Sequence, residues 1–475
     1  MRSSVQAGVC LAVLVLLAAV RVQAQTSRGT VTGVVSDSTR ASVPGAGVEI
    51  VSKETNVVRS TTTNEQGVYR FDAVDPGTYD VSVKAQGFKA YTSRAIPVSA
   101  AQTVGVDATL EVGEAANSVE VTADTVALQT ESPVKGGIIS TIQATTLPVF
   151  SRNPNMLALT LPGITEQRSD LPGIMTFSSN GSRGRSNNFL LDGTENNDIS
   201  VAGQAFQVKN PDAVQEVSIQ TALYDAEFGR AGGAVVNTIT KSGTNTFHGT
   251  LGWVADFTND DAIPNVLSIS PSISQRGKLP PGYEQFYSGT LGGPVVRDRT
   301  FFFTSWQEQR RRASNSSTFT TPTQNGRDQL RRLFAPGVNE RVDLYLDVSK
   351  GVVATGQPFP IDLGNGRGNV EFGTGVLTFG QKYDARQSLS RVDHHFSERD
   401  ILSVRYGYDS QLNPVGNVNF PGFITSSRQQ YHNAVIAHTH VFTPTLTNEL
   451  RVPFNRITLD SPVDAEDPRA ASMPL

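Results

Sequence analysis

From Thr246 onward the chain carries a two-residue period. Leu402, Val404, Tyr406 and Tyr408 alternate with Ser403, Arg405, Gly407 and Asp409. Leu446, Leu450, Val452 and Phe454 alternate with Thr447, Glu449, Arg451 and Asn455, with Asn448 the one exception. Successive side chains of a strand point to opposite faces, so each run has one apolar and one polar side. The candidate strands are Thr246–Phe257, Gln285–Val295, Thr300–Arg310, Arg386–Phe396, Ile401–Ser410, Gln429–Phe442 and Thr445–Thr458. Their connections are unequal. Arg297-Asp298, Ser397–Asp400 and the turn near Pro444 are short, whereas Thr258–Glu284, Arg311–Ala385 and Gln411–Arg428 are long and rich in Gly, Pro, Asn and Ser. A bilayer demands this of a tilted antiparallel barrel: strands of about 9–11 residues, apolar outside and polar inside, with short turns at one rim and long loops at the other. A water-soluble sandwich would have loops more even in length. Phe301, Phe302, Phe303, Trp306, Tyr406, Tyr408 and Tyr431 are candidates for the aromatic girdles, some of them packing within the wall.

The remaining length bounds the rest. A chain of 475 residues implies two to four domains. With 40 basic and 44 acidic residues its net charge is -4, so nothing electrostatic argues for nucleic acid as a partner. After the N-terminus no apolar run approaches the ~18–20 residues of a spanning helix, which leaves a barrel as the way across a membrane. Residues 1–24 read as a signal peptide: Arg2, then the apolar Val9–Val20, then Val22-Gln23-Ala24 before Gln25. The apolar stretch is too short for an anchor helix. Cys10, the only cysteine, would leave with it, so the mature chain is expected to have no disulfide or thiol chemistry.

Residues 27–113 read as an all-β sandwich, with β-rich runs at Thr30–Val35, Val48–Val51, Val57–Thr62, Val68–Phe71, Tyr79–Val83 and Val104–Leu110. Tyr69, Tyr79, Phe88 and Tyr91 are the candidate stacking aromatics, and most are expected in the core. Between sandwich and barrel lie two runs punctuated by turn formers. Asn180-Gly-Ser-Arg-Gly-Arg-Ser-Asn-Asn-Phe-Leu-Leu-Asp-Gly-Thr-Glu195 is the first; Tyr224–Gly243, with Gly-Arg-Ala-Gly-Gly-Ala-Val-Val-Asn-Thr-Ile-Thr-Lys-Ser-Gly at its end, is the second. In each, a short apolar strand is bounded by Gly, Asn and Asp, which tolerate tight-turn dihedrals. Neither has catalytic spacing.

These runs resemble the plug domain of TonB-dependent outer-membrane receptors of the Oar-like group. Asn64–Val83 and Gly33-Val-Val-Ser-Asp37 resemble the carboxypeptidase-regulatory-like domain, a carbohydrate-binding-like, transthyretin-type sandwich. The resemblance implies a mainly β chain: sandwich, small α+β plug at 119–242, then the N-terminal part of a transmembrane antiparallel barrel at 246–475. It marks Asn180, Arg183, Arg185, Asn188, Leu191, Asp192, Gly193, Gly229, Gly232, Gly233 and Asn237 as the plug signature. Arg183 and Arg185 are expected to pair with carboxylates on the inner barrel wall. Val119-Glu120-Val121-Thr122-Ala123 is similar to a TonB box, the segment that pairs by strand addition with the periplasmic energy-transducing protein; an ordinary first plug strand is the equal alternative. The implied function is energised uptake of a large external substrate (glycan, peptide or chelate) across the outer membrane, with the sandwich in the periplasm. The other reading is a non-transporting protein that binds carbohydrate or peptide through the sandwich. Family barrels close with about 22 strands, whereas this chain shows seven candidates, so the expectation is an N-terminal fragment or truncated product.

Enzyme signatures are weak. His395-Phe-Ser-Glu398 matches half of a zinc ligand pair without a supporting third ligand. His432, His438 and His440 share a strand face with Ile436 and are expected to line a polar lumen rather than hold a metal. Gly364-Asn-Gly-Arg-Gly368 lacks the spacing and strand-to-helix setting of a nucleotide loop. No enzyme activity, metal or cofactor is expected.

Overall fold

The computed structural model describes residues 28–113, 118–122, 135–148, 152–167, 176–198, 203–224, 228–258, 261–263, 277, 279, 281–350, 352, 354, 357–414, 426–443 and 446–460. The signal-peptide assignment falls on residues 1–24, outside this set.

The N-terminal unit is built from Gly29–Asp37 (β1), Gly47–Ser52 (β2), Val58–Thr62 (β3), Val68–Val74 (β4), Gly77–Lys84 (β5), Ala90–Val98 (β6), Thr103–Gly105 (β7), Ala108–Leu110 (β8) and Ser118–Thr122 (β9). One sheet has the order β4-β1-β7, with β8 also on β1; the other runs β3-β2-β5-β6-β9. Between them Val31, Val35, Val48, Ile50, Phe71, Val81 and Val83 form one core, as alternation in Tyr79–Val83 predicts. Tyr69 is buried there and Tyr79, Phe88 and Tyr91 pack against it, so the stacking candidates belong to the interior. The Val104–Leu110 run divides into two short strands that pair in parallel with β1. Sequence periodicity passes over β6, whose Ala95 has a left-handed φ of 58° and breaks the alternation.

The middle unit contains Lys135–Ser140 (β10), Ile164–Gln167 (β11), Thr176–Ser179 (β12), Asn188–Leu191 (β13), Thr194–Glu195 (β14), Val214–Ala222 (β15) and Val235–Thr240 (β16), with a helix at Thr141–Thr146. Its main sheet runs β10-β15-β16-β13-β14. Both apolar strands of the glycine-punctuated runs sit side by side in it, β13 parallel to β16. Phe189, Leu191, Val214, Val217, Ile219 and Val236 form the core.

The C-terminal sheet is antiparallel throughout: His248–Phe257 (β17), Tyr283–Val296 (β18), Thr300–Pro322 (β19), Phe359–Asp362 (β20), Asn369–His395 (β21), Asp400–Pro414 (β22), Ser426–Thr443 (β23) and Leu446–Asp460 (β24). The order is β17-β18-β19-β21-β22-β23-β24, with β20 on the end of β21. Among the described residues the outer edges of β17 and β24 have no partner strand, so the sheet is not a closed barrel. Each predicted strand is present. The long loop expected at Arg311–Ala385 is corrected: β19 and β21 continue as one ladder from Thr300↔His394 to Pro322↔Phe372. Two helices, Gln324–Leu333 and Glu340–Val348, cap it over a cluster of Leu330, Leu346, Val370 and Phe372. Beyond the membrane both faces of a hairpin can be wet, so no apolar stripe is required and polar, glycine-bearing sequence still forms strand.

One face of this sheet wraps the middle unit. Phe303 and Leu389 belong to the middle unit's core cluster, with Tyr431 packed against it. The opposite face carries Leu251 at 95% exposure, Trp253, Val404, Tyr406, Ile436, Leu450, Val452 and Phe454. Trp306, Tyr406 and Tyr408 face outward as girdle residues can; Phe301 and Phe303 are buried on the inner side. His432, His438 and His440 alternate with buried Asn433, Val435 and Thr439, so the lumenal placement is corrected to the outer face. There His440 Nδ1 meets Asp400, and Tyr406 Oη lies 2.8 Å from His432 Nδ1.

Candidate functional site: the junction of three units

The turn between β13 and β14 organises the middle unit. Asp192 and Gly193 take left-handed φ values of 48° and 70°, which Asp tolerates and Gly adopts freely. The Gly193 amide donates to Asn237 Oδ1 on neighbouring β16 at 3.0 Å. Asp192 accepts from the Thr240 amide at 2.8 Å and from its hydroxyl at 2.9 Å. Around this turn the other signature residues tie the two runs together. Asn188 Nδ2 donates to the Gly229 carbonyl at 3.1 Å, and the Gly232 and Gly233 amides donate to the Ser186 carbonyl. Asn180 has a φ of 51° and donates from Nδ2 to the Thr221 carbonyl, and Leu191 is fully buried.

Asp192 points at the sheet. Arg405 Nε of β22 lies 2.6 Å from its carboxylate and Arg391 Nη1 of β21 lies 3.6 Å away. Arg391 also donates to the Thr240 carbonyl and pairs with Asp393 at 2.9 Å, while Asp393 accepts from Ser403 and from Ser242 of the chain just after β16. Arg451 of β24 donates to the Gly193 carbonyl at 2.9 Å and pairs with Glu449. Arginine on the inner wall and a carboxylate on the plug reverse the expected polarity. Arg183 and Arg185 are exposed, and no carboxylate of the described residues lies within ion-pair distance of either. They sit at a short 3-10 turn, Gly184–Ser186, away from the junction. The missed residues, Arg391, Arg405 and Arg451, were marked in sequence by arginine at polar-face positions of alternating strands.

The N-terminal sandwich enters the same junction. Arg28 pairs with Asp75 at 2.7 Å, lies 3.7 Å from Glu449, and donates to Thr439 of β23. Enclosure raises the Asp75 carboxyl, but the charges of Arg28 and Arg391 outweigh this and hold it below its ordinary range. Two further contacts fix the sandwich. The Ala100 amide donates to Glu216 Oε1 of β15 at 2.6 Å, where burial raises the Glu216 carboxyl against the hydrogen bonds it accepts. The Asn245 amide donates to the Glu54 carbonyl at 3.0 Å, beside the short turn at Asp298. A cavity of about 150 Å³ lies among the three units, lined by Arg28, Asp75, Asp192, Arg391, Asp393 and Glu449. Acid and base alternate around it, which suits a lock between units better than a site for a charged ligand.

Higher in the sheet the contact is polar and close. Lys209 pairs with Asp409 at 2.9 Å, Asn210 Nδ2 donates to Ser305, and Asn455 Nδ2 donates to the Glu195 carbonyl. A Cβ at Gly407 would lie 2.6 Å from Phe206, so only glycine admits that ring against the wall.

Of the candidate TonB-box segment, Val119–Thr122 lies in β9, whose backbone pairs in parallel with β6 from Ala90↔Ser118 to Arg94↔Thr122. Ala123 lies outside the described residues. The segment is therefore extended, but already the edge of the sandwich.

With this geometry in view, residues 239–473 match the outer membrane beta barrel domain, and residues 30–111 match the carboxypeptidase regulatory-like domain. The TonB-dependent transporter Oar of Myxococcus xanthus is 29% identical over 290 residues, 58% of this chain and 26% of its own length. The chain is a homologue of a TonB-dependent transporter. It spans about a quarter of the length of that relative. Among solved structures it is similar to the outer membrane transporter YddB of Escherichia coli, at 13% identity and a TM-score of 0.49, over 71% of this chain and 41% of that one. The siderophore receptor PirA of Pseudomonas aeruginosa gives 13% identity and 0.41, over 70% and 42%.

Proposed function

We propose that this TonB-dependent transporter homologue is the receptor element of an energised uptake system, with residues 1–24 as signal peptide, 27–113 as a periplasmic sandwich, 119–242 as TonB-box region and plug, and 246–475 as barrel wall. The observation that carries the reading is the filled inner face: a folded unit held against the wall by Asp192, Lys209 and Asn210. Its partner is a TonB-type periplasmic protein, its surroundings are outer-membrane lipid, and its substrate is an external glycan, peptide or chelate. No enzyme step is assigned to it.

The topology supports a route for the force. Strand addition at 119–123 requires β9 to leave β6. Tension then passes along the chain to β10, the edge strand of the plug, whose one ladder among the described residues is to β15. Removing an edge strand breaks a single ladder and leaves the Asp192 turn, on the far side of the sheet, still paired. Peeling at the rim is thus easier than extracting the whole plug.

The test uses the absence of cysteine beyond Cys10. A Val121→Cys variant should form a disulfide with a cysteine-bearing TonB-type protein in cells, and deletion of 119–123 should abolish uptake while leaving outer-membrane insertion intact. Uptake that persists after the deletion would place the coupling segment elsewhere.

A further inference from the structure

The sandwich covers the short-turn rim of the sheet from one side to the other. Just before β17, the Asn245 amide donates to the Glu54 carbonyl at 3.0 Å and Asn245 Nδ2 donates to the Thr55 carbonyl. Asn245 Oδ1 in turn accepts from the Asp298 amide at 2.8 Å, in the turn between β18 and β19. At the last two strands, Arg28 donates to Thr439 of β23 and stands 3.7 Å from Glu449 of β24. Between these ends, Ile50, Val57 and Val74 of the sandwich line the same cavity as Phe301, Ile401 and Ala437 of the wall. The plug borders that cavity on its other side with Asp192, Ile239 and Thr240. Its volume of about 150 Å³ is room for a few waters. A glycan, peptide or chelate that passed the Asp192 turn would meet the sandwich next.

Plug and sandwich are gripped differently. The plug meets the wall through Phe303 and Leu389, which belong to its own core cluster, and through the Phe206 ring against Gly407. The sandwich is held by hydrogen bonds, by the Arg28 ion pairs and by Ala101, which packs against Leu190, Phe228 and Val235. A hydrogen bond surrendered to water costs little net free energy, and charges regain their hydration on leaving. Exposing an aromatic ring forfeits its whole burial. Tension at 119–123 acts on both units, since it reaches the sandwich through Glu111–Gly113, where the Gly113 amide donates to the Gly87 carbonyl at 3.1 Å. The weaker grip yields first.

We propose that the sandwich is a gate in series with the plug: it closes the short-turn mouth at rest and swings off the wall under tension, before the plug deforms. Arg28 and Asn245 are its two clasps, one at each end of the rim. The gate rests on the reading of 119–123 as the coupling segment and of the short-turn rim as the periplasmic side. Two barriers that open in order leave no continuous pore while either is shut.

The test reads access to the cavity in cells that make the full chain and a TonB-type protein, in a Cys10→Ser background. Ala437→Cys reports the cavity, and Ser38→Cys, exposed on the sandwich, reports the periplasm. The reagent is a sulfonated maleimide that passes general porins but not the inner membrane. With the proton gradient collapsed, Ala437→Cys should react at least about tenfold more slowly than Ser38→Cys. Restoring the gradient should raise its rate about tenfold. Arg28→Ala combined with Asn245→Ala should produce the same rise without a gradient, while the protease pattern of 135–240 stays that of the parent. Ala437→Cys as reactive at rest as Ser38→Cys overturns the gate, and so does protection that persists in the double variant. Protection that ignores the gradient while Val121→Cys still crosslinks to the TonB-type protein overturns the gate and leaves the coupling reading standing. A rise that survives deletion of 119–123 supports the gate and moves the coupling segment elsewhere.

Discussion

The N-terminal sandwich and the C-terminal sheet use one sequence pattern to opposite ends. In the sandwich, alternate Val and Ile residues such as Val31, Val81 and Val83 are fully buried between two sheets. In the large sheet, alternate residues such as Val404, Ile436 and Val452 point away from the protein, and Arg405, Asp409 and Asn433 are the buried ones. A period of two states that a strand has two unlike sides; it does not state which side meets protein. What decides is strand length and the inequality of the loops, because a bilayer imposes a height and a sandwich does not.

The sharpest way to break this contrast is to place one charge at equivalent positions. Val81→Arg puts an unpaired guanidinium into the sandwich core, a loss above about 4 kcal/mol that should leave the domain unfolded in any solvent. Val404→Arg on the outer face should cost about 2–4 kcal/mol near the bilayer midplane and almost nothing in detergent-free aqueous refolding of the unassembled chain. Urea titration in lipid vesicles and in water reads both. If Val404→Arg proved as damaging in water as Val81→Arg, the outer face would be a protein interior and the contrast would fall.

The junction sits where the two solvents' logics meet, and there the interior is ionic. Asp192→Ala leaves Arg405, which is 2% exposed, without its carboxylate, and removal of one partner of a buried pair costs about 3–5 kcal/mol. The expected outcome is faster proteolysis within 176–240 with the sandwich unaffected. Asp192→Asn, which retains an acceptor for the Thr240 amide, should fall between the two. Equal protease resistance of all three proteins would mean that the plug is held without Asp192, by contacts such as those of Lys209, Asn210 and Asn455.

How much of this was legible follows from what alternation records. The strands of the sheet and the sandwich core were readable because each residue reports its own side. So was the backbone role of the Asp192-Gly193 turn, through residue types that tolerate left-handed φ. The face of the histidines was also readable: His438 has the parity of Ile436, and an apolar outer face assigns both outward. Two things were not. The ladder above the membrane lacks an apolar side, so nothing in Arg311–Ala385 separates strand from loop. The partner of Asp192 lies some two hundred residues further on, and charge complementarity over that distance has no local signal. Arg183 and Arg185 attracted the assignment because they stand beside the turn, whereas the sheet supplied its own arginines.

The smallest expected effect tests whether the sandwich is fastened to the wall by charge. Asp75 faces Arg28 from its own unit and Arg391 and His395 from β21, and its folded-state carboxyl lies below the ordinary value of 3.8. A carboxyl lowered on folding contributes stability above its ordinary value, and that contribution is lost as pH falls through the lowered one. The Asp75 contribution to docking should therefore be constant from neutral pH down to about pH 4 and weaken below it. Glu216 acts the other way: its raised carboxyl favours docking when protonated, so it strengthens the contact as pH falls. The two are separable by substitution. Energy transfer between dyes on Ser38→Cys and Ser397→Cys should lose its low-pH decline in an Asp75→Asn background and show a steeper one with Glu216→Gln. A profile unchanged by Asp75→Asn would leave the backbone contacts at Asn245 and Ala100 as the fastening, and the junction would then be a lock between plug and wall alone.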